Sequence, residues 1–250
     1  MSSEKTFDIH SLGSKALMKL YHQAKSLIKE IRIVTVPGRG SDHMRVDSPA
    51  ATIGLPLGIP TIQFVDSLSR MQRIEAIAHE LVHLLLVYRY GLGLTMGFKI
   101  PWCGHNGDAF HYFMSVGEKW EYLLGQLSNT AHHLVLIDYL KEKCGIESHL
   151  HLDLLRHHSS VLERGSPNDK ESLCARGVVA FEYEKLIGNV GRLINLDDQT
   201  EWFTTSYQSA QKHFGKYCFK TIPIPSSYKE DILSFLEDLG YQKQDFVFFS

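Results

Sequence analysis

His79, Glu80 and His83 have the types and spacing to do chemistry, in the order His79-Glu80-Leu81-Val82-His83 within the stretch from Arg70 to Tyr90. Side chains four residues apart on an α-helix lie one above the other, so the two imidazoles can aim at one point. Zinc takes nitrogen ligands there at about 2.0 to 2.1 Å. Glu80 stands about 100° further round the helix. From that position it reaches a water beside the ion rather than the ion itself, which is the placement of a general base. A core helix with two hydrogen-bonded histidines is the plain alternative. Buried unpaired in so apolar a helix, Glu80 would be costly, which favours a working carboxylate beside a cation.

The element that must carry this motif is marked at both ends. No Gly or Pro falls between residues 67 and 90, Ser67 and Ser69 offer N-caps, and Gly91 can end the helix. The stretch resembles the active-site helix of the zincin metallopeptidases. That resemblance implies that His79 and His83 ligate Zn2+, that Glu80 activates the water, and that a third protein ligand comes from later in the chain. In the metzincin branch Gly and a third His follow the motif, whereas Leu86 and Arg89 stand here. The gluzincin arrangement, with the third ligand on a later helix, is the one implied.

A helix is expected over residues 118 to 142, and its candidates for third ligand are Glu118, Glu121, His132 and His133. Leu123, Leu124, Leu127, Ala131 and Leu134 define one apolar face, and all four candidates fall on the remaining arc. Periodicity permits each and selects none. Similarity to gluzincins points to Glu121, although Gly125 stands where an Asp or Asn is usual four residues later. A fainter similarity, to bacterial zincin-like proteins with Asn-x-x-x-His on a later helix, matches Asn129, His133 and Gly145. His133 is the third ligand that this similarity implies.

Other elements are read from pattern. Leu12, Ala16, Leu17, Leu20, Ala24 and Leu27 predict an amphipathic helix over 11 to 30, with Lys15, Lys19, Lys25 and Lys29 on its solvated face. Strands are expected at Ile31 to Val36, Ala50 to Leu55 and Thr61 to Val65. Helix, strands and then the motif helix resemble the N-terminal half of a zincin, which implies an edge strand that holds an extended peptide. Thr61 to Val65 is the candidate edge, with an ordinary buried strand as the alternative. Residues 91 to 117, with six glycines and Trp102, Cys103, His105, Asn106, Asp108, His111 and Tyr112, read as an irregular lip beside the metal. His149, His151, His157 and His158 lie in a leucine-rich helix and are expected to be solvated. Glu182 and Glu184 are expected at the surface or supporting a ligand. Three further helices, near 171 to 188, 198 to 214 and 227 to 239, precede the apolar end Phe246 to Phe249.

The chain has 250 residues, 44 % hydrophobic and 22 % charged, with a net charge of -2. That is an ordinary globular composition with no general attraction to nucleic acid or anionic membrane. Its four cysteines form no CxxC pair and read as reduced thiols of a cytoplasmic protein. No basic and apolar leader and no run of about 18 apolar residues is visible. The expectation is an α+β fold, with a zincin-like core of small mixed sheet and active-site helix over 1–164 and a mainly helical part over 165–250. Its expected function is zinc-dependent hydrolysis of a peptide or protein substrate. The alternative is a regulatory or binding protein that keeps the scaffold without turnover.

Overall fold

A computed structural model describes residues 4–37, 49–53, 58–93, 96–98, 107–162, 169–192, 200–243 and 246–248, of which 96–98, 107–121, 158–162, 192 and 246–248 are described by backbone alone. The fold is α+β and mostly helical, with seven α-helices and a small mixed four-stranded sheet among the described residues. Two compact units are present, Met1–Gly93 with Leu136–Leu154, and Leu94–Val135 with Leu155–Ser250. The expected boundary at 164/165 lies outside the described residues.

In the first unit, α1 (Lys15–Leu27) starts where Ser14 caps the Leu17 amide and buries Leu17, Leu20 and Ala24. The sheet runs β1 (Lys5–Thr6), β2 (Arg32–Val36), β4 (Thr61–Val65) and β3 (Ala50–Ile53) across its width. β2 and β4 are parallel, and the two outer pairs are antiparallel. β4 is therefore central, and the expectation that Thr61 to Val65 forms the edge is corrected. The physical reason is cover on both faces: Ile62 and Phe64 are fully buried on one side and Gln63 on the other, where it donates to Glu4 at 2.6 Å. β3 holds the outer place instead.

Helix α2 (Arg70–Tyr88) packs on α1 and on β3 and β4. Ser69 and Gln72 form a reciprocal capping box at its start. Gly91, in the left-handed region at φ 67°, ends the helical run, and the Leu92 amide returns to the Leu86 carbonyl at 2.9 Å. Between those stops Ile74, Ile77, Leu81, Val82, Leu84, Leu85 and Leu86 are buried, apolar on more than one face as a core helix must be.

Helix α3 (Gly107–Tyr139) begins eleven residues before the expected start, and β5 (Met96–Phe98) precedes it. The reading of 91 to 117 as wholly irregular is corrected at those segments. The glycines there weigh against a helix by only about 1 kcal/mol each, a preference that tertiary context overrides. α3 runs through the division between the units and ends in a wider turn over Leu140–Cys144, closed by left-handed Gly145. α4 (His149–Leu162) follows.

The second unit contains α5 (Lys170–Leu186), α6 (Glu201–Phe214) and α7 (Pro225–Asp238), packed α5 on α6 and α6 on α7. Gly177 allows α5 and α6 their close approach, since a Cβ there would stand 2.5 Å from the Phe203 carbonyl oxygen. The apolar chain end forms β6 (Phe246–Phe248), antiparallel to β5. No helix among the described residues is long and apolar enough to cross a membrane.

Candidate metal centre

The one-turn spacing on α2 does bring the motif histidines together. Nε2 of His79 and Nε2 of His83 are 3.1 Å apart, and their ring centroids 4.9 Å. Two nitrogens held about 2.0 to 2.1 Å from one tetrahedral ion stand about 3.3 Å apart. That separation suits two ligands of a single cation and equally a hydrogen bond between the two rings.

Glu80 is buried beside them. It is not alone: the Thr52 hydroxyl, on β3, donates to its Oε2 at 2.8 Å. Burial pushes the Glu80 carboxyl up from its usual range to about 7, against the lowering pull of Thr52's hydrogen bonds and of charge on His151. A carboxyl with that proton affinity changes state near neutral pH, which suits a group that must take up and release a proton.

The expectation that His151 is solvated is corrected. It is half-buried, and its ring centroid lies 5.1 Å from that of His79. The cause is Glu75, one turn before His79 on α2. Its buried carboxylate accepts the Leu150 amide at 2.5 Å and the His151 amide at 3.3 Å, capping the first turn of α4. Burial pushes the Glu75 carboxyl up, while those two amides act in the opposite sense.

In the second unit His133, on α3, is buried, and its Nδ1 lies 2.7 Å from Oε1 of Glu182 on α5. Glu182 is 1 % exposed and also accepts from the Thr130 hydroxyl at 2.5 Å and the Gln126 amide at 3.4 Å. A carboxylate so placed engages the Nδ1 proton and leaves the lone pair on Nε2, the tautomer a ligating histidine needs. His132, its neighbour in sequence, takes another direction and stacks on buried Tyr228 with centroids 6.1 Å apart. The 100° step between consecutive helical residues separates the pair.

Ring nitrogens of His79 and His151, both in the first unit, lie within 4.8 Å of each other. His83 adjoins the same His79. Three or four imidazoles make a donor set that suits zinc, and the Glu182 brace on His133 fits a ligand role. The residues present therefore fit a bound divalent ion.

Glu118 and Glu121 lie on the part of α3 described by backbone alone, as do Asp108, His111 and Tyr112; Trp102, Cys103, His105 and Asn106 lie outside the described residues. Among the described residues Cys144, Cys174 and Cys218 form no disulfide with one another. Burial pushes the Cys174 thiol up to about 12, which keeps it protonated and unreactive.

Sequence reasoning missed Thr52, Glu75 and His151. For Glu75 a sign was present: Glu75, His79 and His83 recur every four residues and form one polar stripe on an otherwise apolar helix. Nothing local marks Thr52, whose partner is 28 residues away. No family model, curated protein or solved structure matches the chain, so the chemistry of this centre is read from its own residues.

Proposed function

We infer that the chain is a zinc-dependent hydrolase, with His79, His83 and His133 as ligands and Glu80 as general base. The observation that carries this reading is the convergence of the His79 and His83 nitrogens, 3.1 Å apart, beside a buried carboxylate fixed by Thr52. A peptide or protein substrate follows from the resemblance of the Arg70 to Tyr90 stretch to zincin metallopeptidases.

A zinc ion bound by these imidazoles supplies Lewis acidity to a hydrolytic water and to the carbonyl under attack. Glu80 takes the proton from that water and passes it to the leaving nitrogen. Burial raises its proton affinity in the metal-free chain, which suits a group that carries a proton between two partners. Thr52 holds Oε2 and so fixes the rotamer from which Glu80 acts. Glu182 fixes the ring of His133, and Thr130 and Gln126 fix Glu182 in turn.

Elemental analysis of the purified chain, paired with turnover of a peptide mixture, tests the reading. One zinc per chain is expected, together with cleavage that Glu80→Gln reduces by about 10²- to 10⁴-fold without loss of metal. A protein that takes up no zinc on reconstitution, or whose Glu80→Gln variant cleaves at the parent rate, overturns it.

A further inference from the structure

His151 has no part in the hydrolytic scheme, yet its ring stands against the ligands. Two imidazoles bonded to one tetrahedral ion through nitrogens about 2.0 to 2.1 Å away have ring centroids about 5 Å apart. His79 keeps that spacing to two partners, 4.9 Å to His83 and 5.1 Å to His151. The nitrogens of His79 and His151 also lie within 4.8 Å of each other. His151 is not there by accident of a loose loop. Glu75, itself buried, binds the Leu150 and His151 amides and fixes the first turn of α4 beside the α2 stripe.

We propose that His151 is a fourth protein ligand of the same ion, closing the centre in its resting state and leaving to admit water and substrate. This rests on the zinc reading above and adds its regulation. Four protein ligands characterise closed, structural zinc sites, whereas catalytic sites keep three and an open position. With His151 bound, no position remains for the water that Glu80 serves. His151 is the ligand suited to leave. His79 and His83 are set in the middle of α2, and His133 is braced by buried Glu182, but His151 sits on the first turn of its helix and is half-buried. Nitrogens as much as 4.8 Å apart must close by roughly 1.5 Å to share an ion at zinc distances. A side-chain torsion of His151 supplies that movement while the Glu75 cap keeps the backbone in place.

Cobalt(II) in place of zinc gives a readout independent of turnover, because its visible spectrum reports coordination and azide binds only where a position is open. The full-length chain and its His151→Ala variant are each loaded with one equivalent of Co2+ and titrated with azide. The parent spectrum is expected to stay unmoved, and the variant's to shift with azide and to differ from the parent's before any azide is added. A parent spectrum that shifts at the same azide concentrations as the variant's removes His151 from the ligand set and leaves the zinc reading standing. A parent chain that binds no Co2+ overturns both. The parent titration decides the matter by itself if the variant does not fold.

Discussion

Two buried carboxylates, Glu80 beside the motif histidines of α2 and Glu182 against His133 from α5, are held under opposite conditions. Glu182 is 1 % exposed and accepts hydrogen bonds from three side chains, those of His133, Thr130 and Gln126. Glu80 is 8 % exposed and is held through one residue, Thr52. A carboxylate surrounded by donors has its charge satisfied and acts as a fixed post. One that is buried with few donors holds a proton near neutral pH and is free to exchange it. Burial alone does not decide between brace and base. The number of donors that come with it does.

The largest effect that would sharpen this contrast is on Glu80 itself. Glu80→Gln should lower turnover by about 10²- to 10⁴-fold while zinc stays bound. It should also stabilise the metal-free protein at high pH, and the sign follows from linkage. Burial lifts the folded-state affinity from 4.5 to about 7, so between those values the folded chain keeps a proton that the unfolded chain releases. Stability from this group is therefore lost as pH rises through that window, by about 3 kcal/mol once it is complete. The neutral amide of the variant cannot ionise. Urea unfolding of the metal-free proteins should show the variant ahead at pH 8 and level with the parent at pH 4; a constant difference across that range would contradict the assignment.

Removal of the other carboxylate should act on structure first. Glu182→Ala strips the acceptor from His133, Thr130 and Gln126 in a buried site, at about 3 kcal/mol of unfolding free energy. Zinc affinity should fall about 10- to 100-fold as His133 loses its orientation. Competition with a chromophoric chelator measures the second effect. Full zinc affinity in a destabilised Glu182→Ala protein would make Glu182 a packing residue and end the comparison with Glu80.

How far each side of this contrast can be read from sequence depends on the distance over which it is built. The α2 half lies in one unbroken stretch from Ser69 to Gly91: the Ser69 cap, the four-residue spacing of His79 and His83, and the Gly91 stop are local facts, and the helix keeps them. The strands at 32–36 and 61–65 and the tail helices are also legible as elements. Their arrangement is not. β4 lies between β2 and β3, although alternation in Thr61 to Val65 is silent about neighbours. His132 and His133 share one polar arc on the wheel, and which of the two meets a carboxylate rather than a ring is set by the tertiary positions of Glu182 and Tyr228. Glu182 meets His133 across 49 residues of chain and Thr52 meets Glu80 across 28. The spacing of His151 matches no ligand motif. What brings it to His79 is a carboxylate on another helix, binding its backbone.

Glu75 is a third buried carboxylate and lies between the two extremes, since its acceptors are engaged by backbone amides rather than by side chains. Glu75→Ala removes a helix cap, and a cost of about 1 to 2 kcal/mol is expected in urea unfolding. Hydrogen exchange at the Leu150 and His151 amides should accelerate more than at buried amides in the middle of α2. Equal acceleration in both places would mean that Glu75 supports the whole unit and has no particular hold on α4.

The smallest change bears most directly on what makes Glu80 a base. Thr52→Val keeps the shape of the β3 side chain and deletes the hydroxyl that donates to Oε2 at 2.8 Å, at about 1 kcal/mol of stability. Thr52's hydrogen bonds lower the proton affinity that burial raises, so without the hydroxyl the carboxyl should hold its proton to higher pH. The acid limb of the pH–rate profile, where Glu80 must lose its proton to act, should therefore move upward while the rate on its plateau changes little. A limb that stays put, with the plateau reduced instead, would make Thr52 important for the orientation of Glu80 and irrelevant to its proton affinity. The difference between the two carboxylates would then lie in geometry alone.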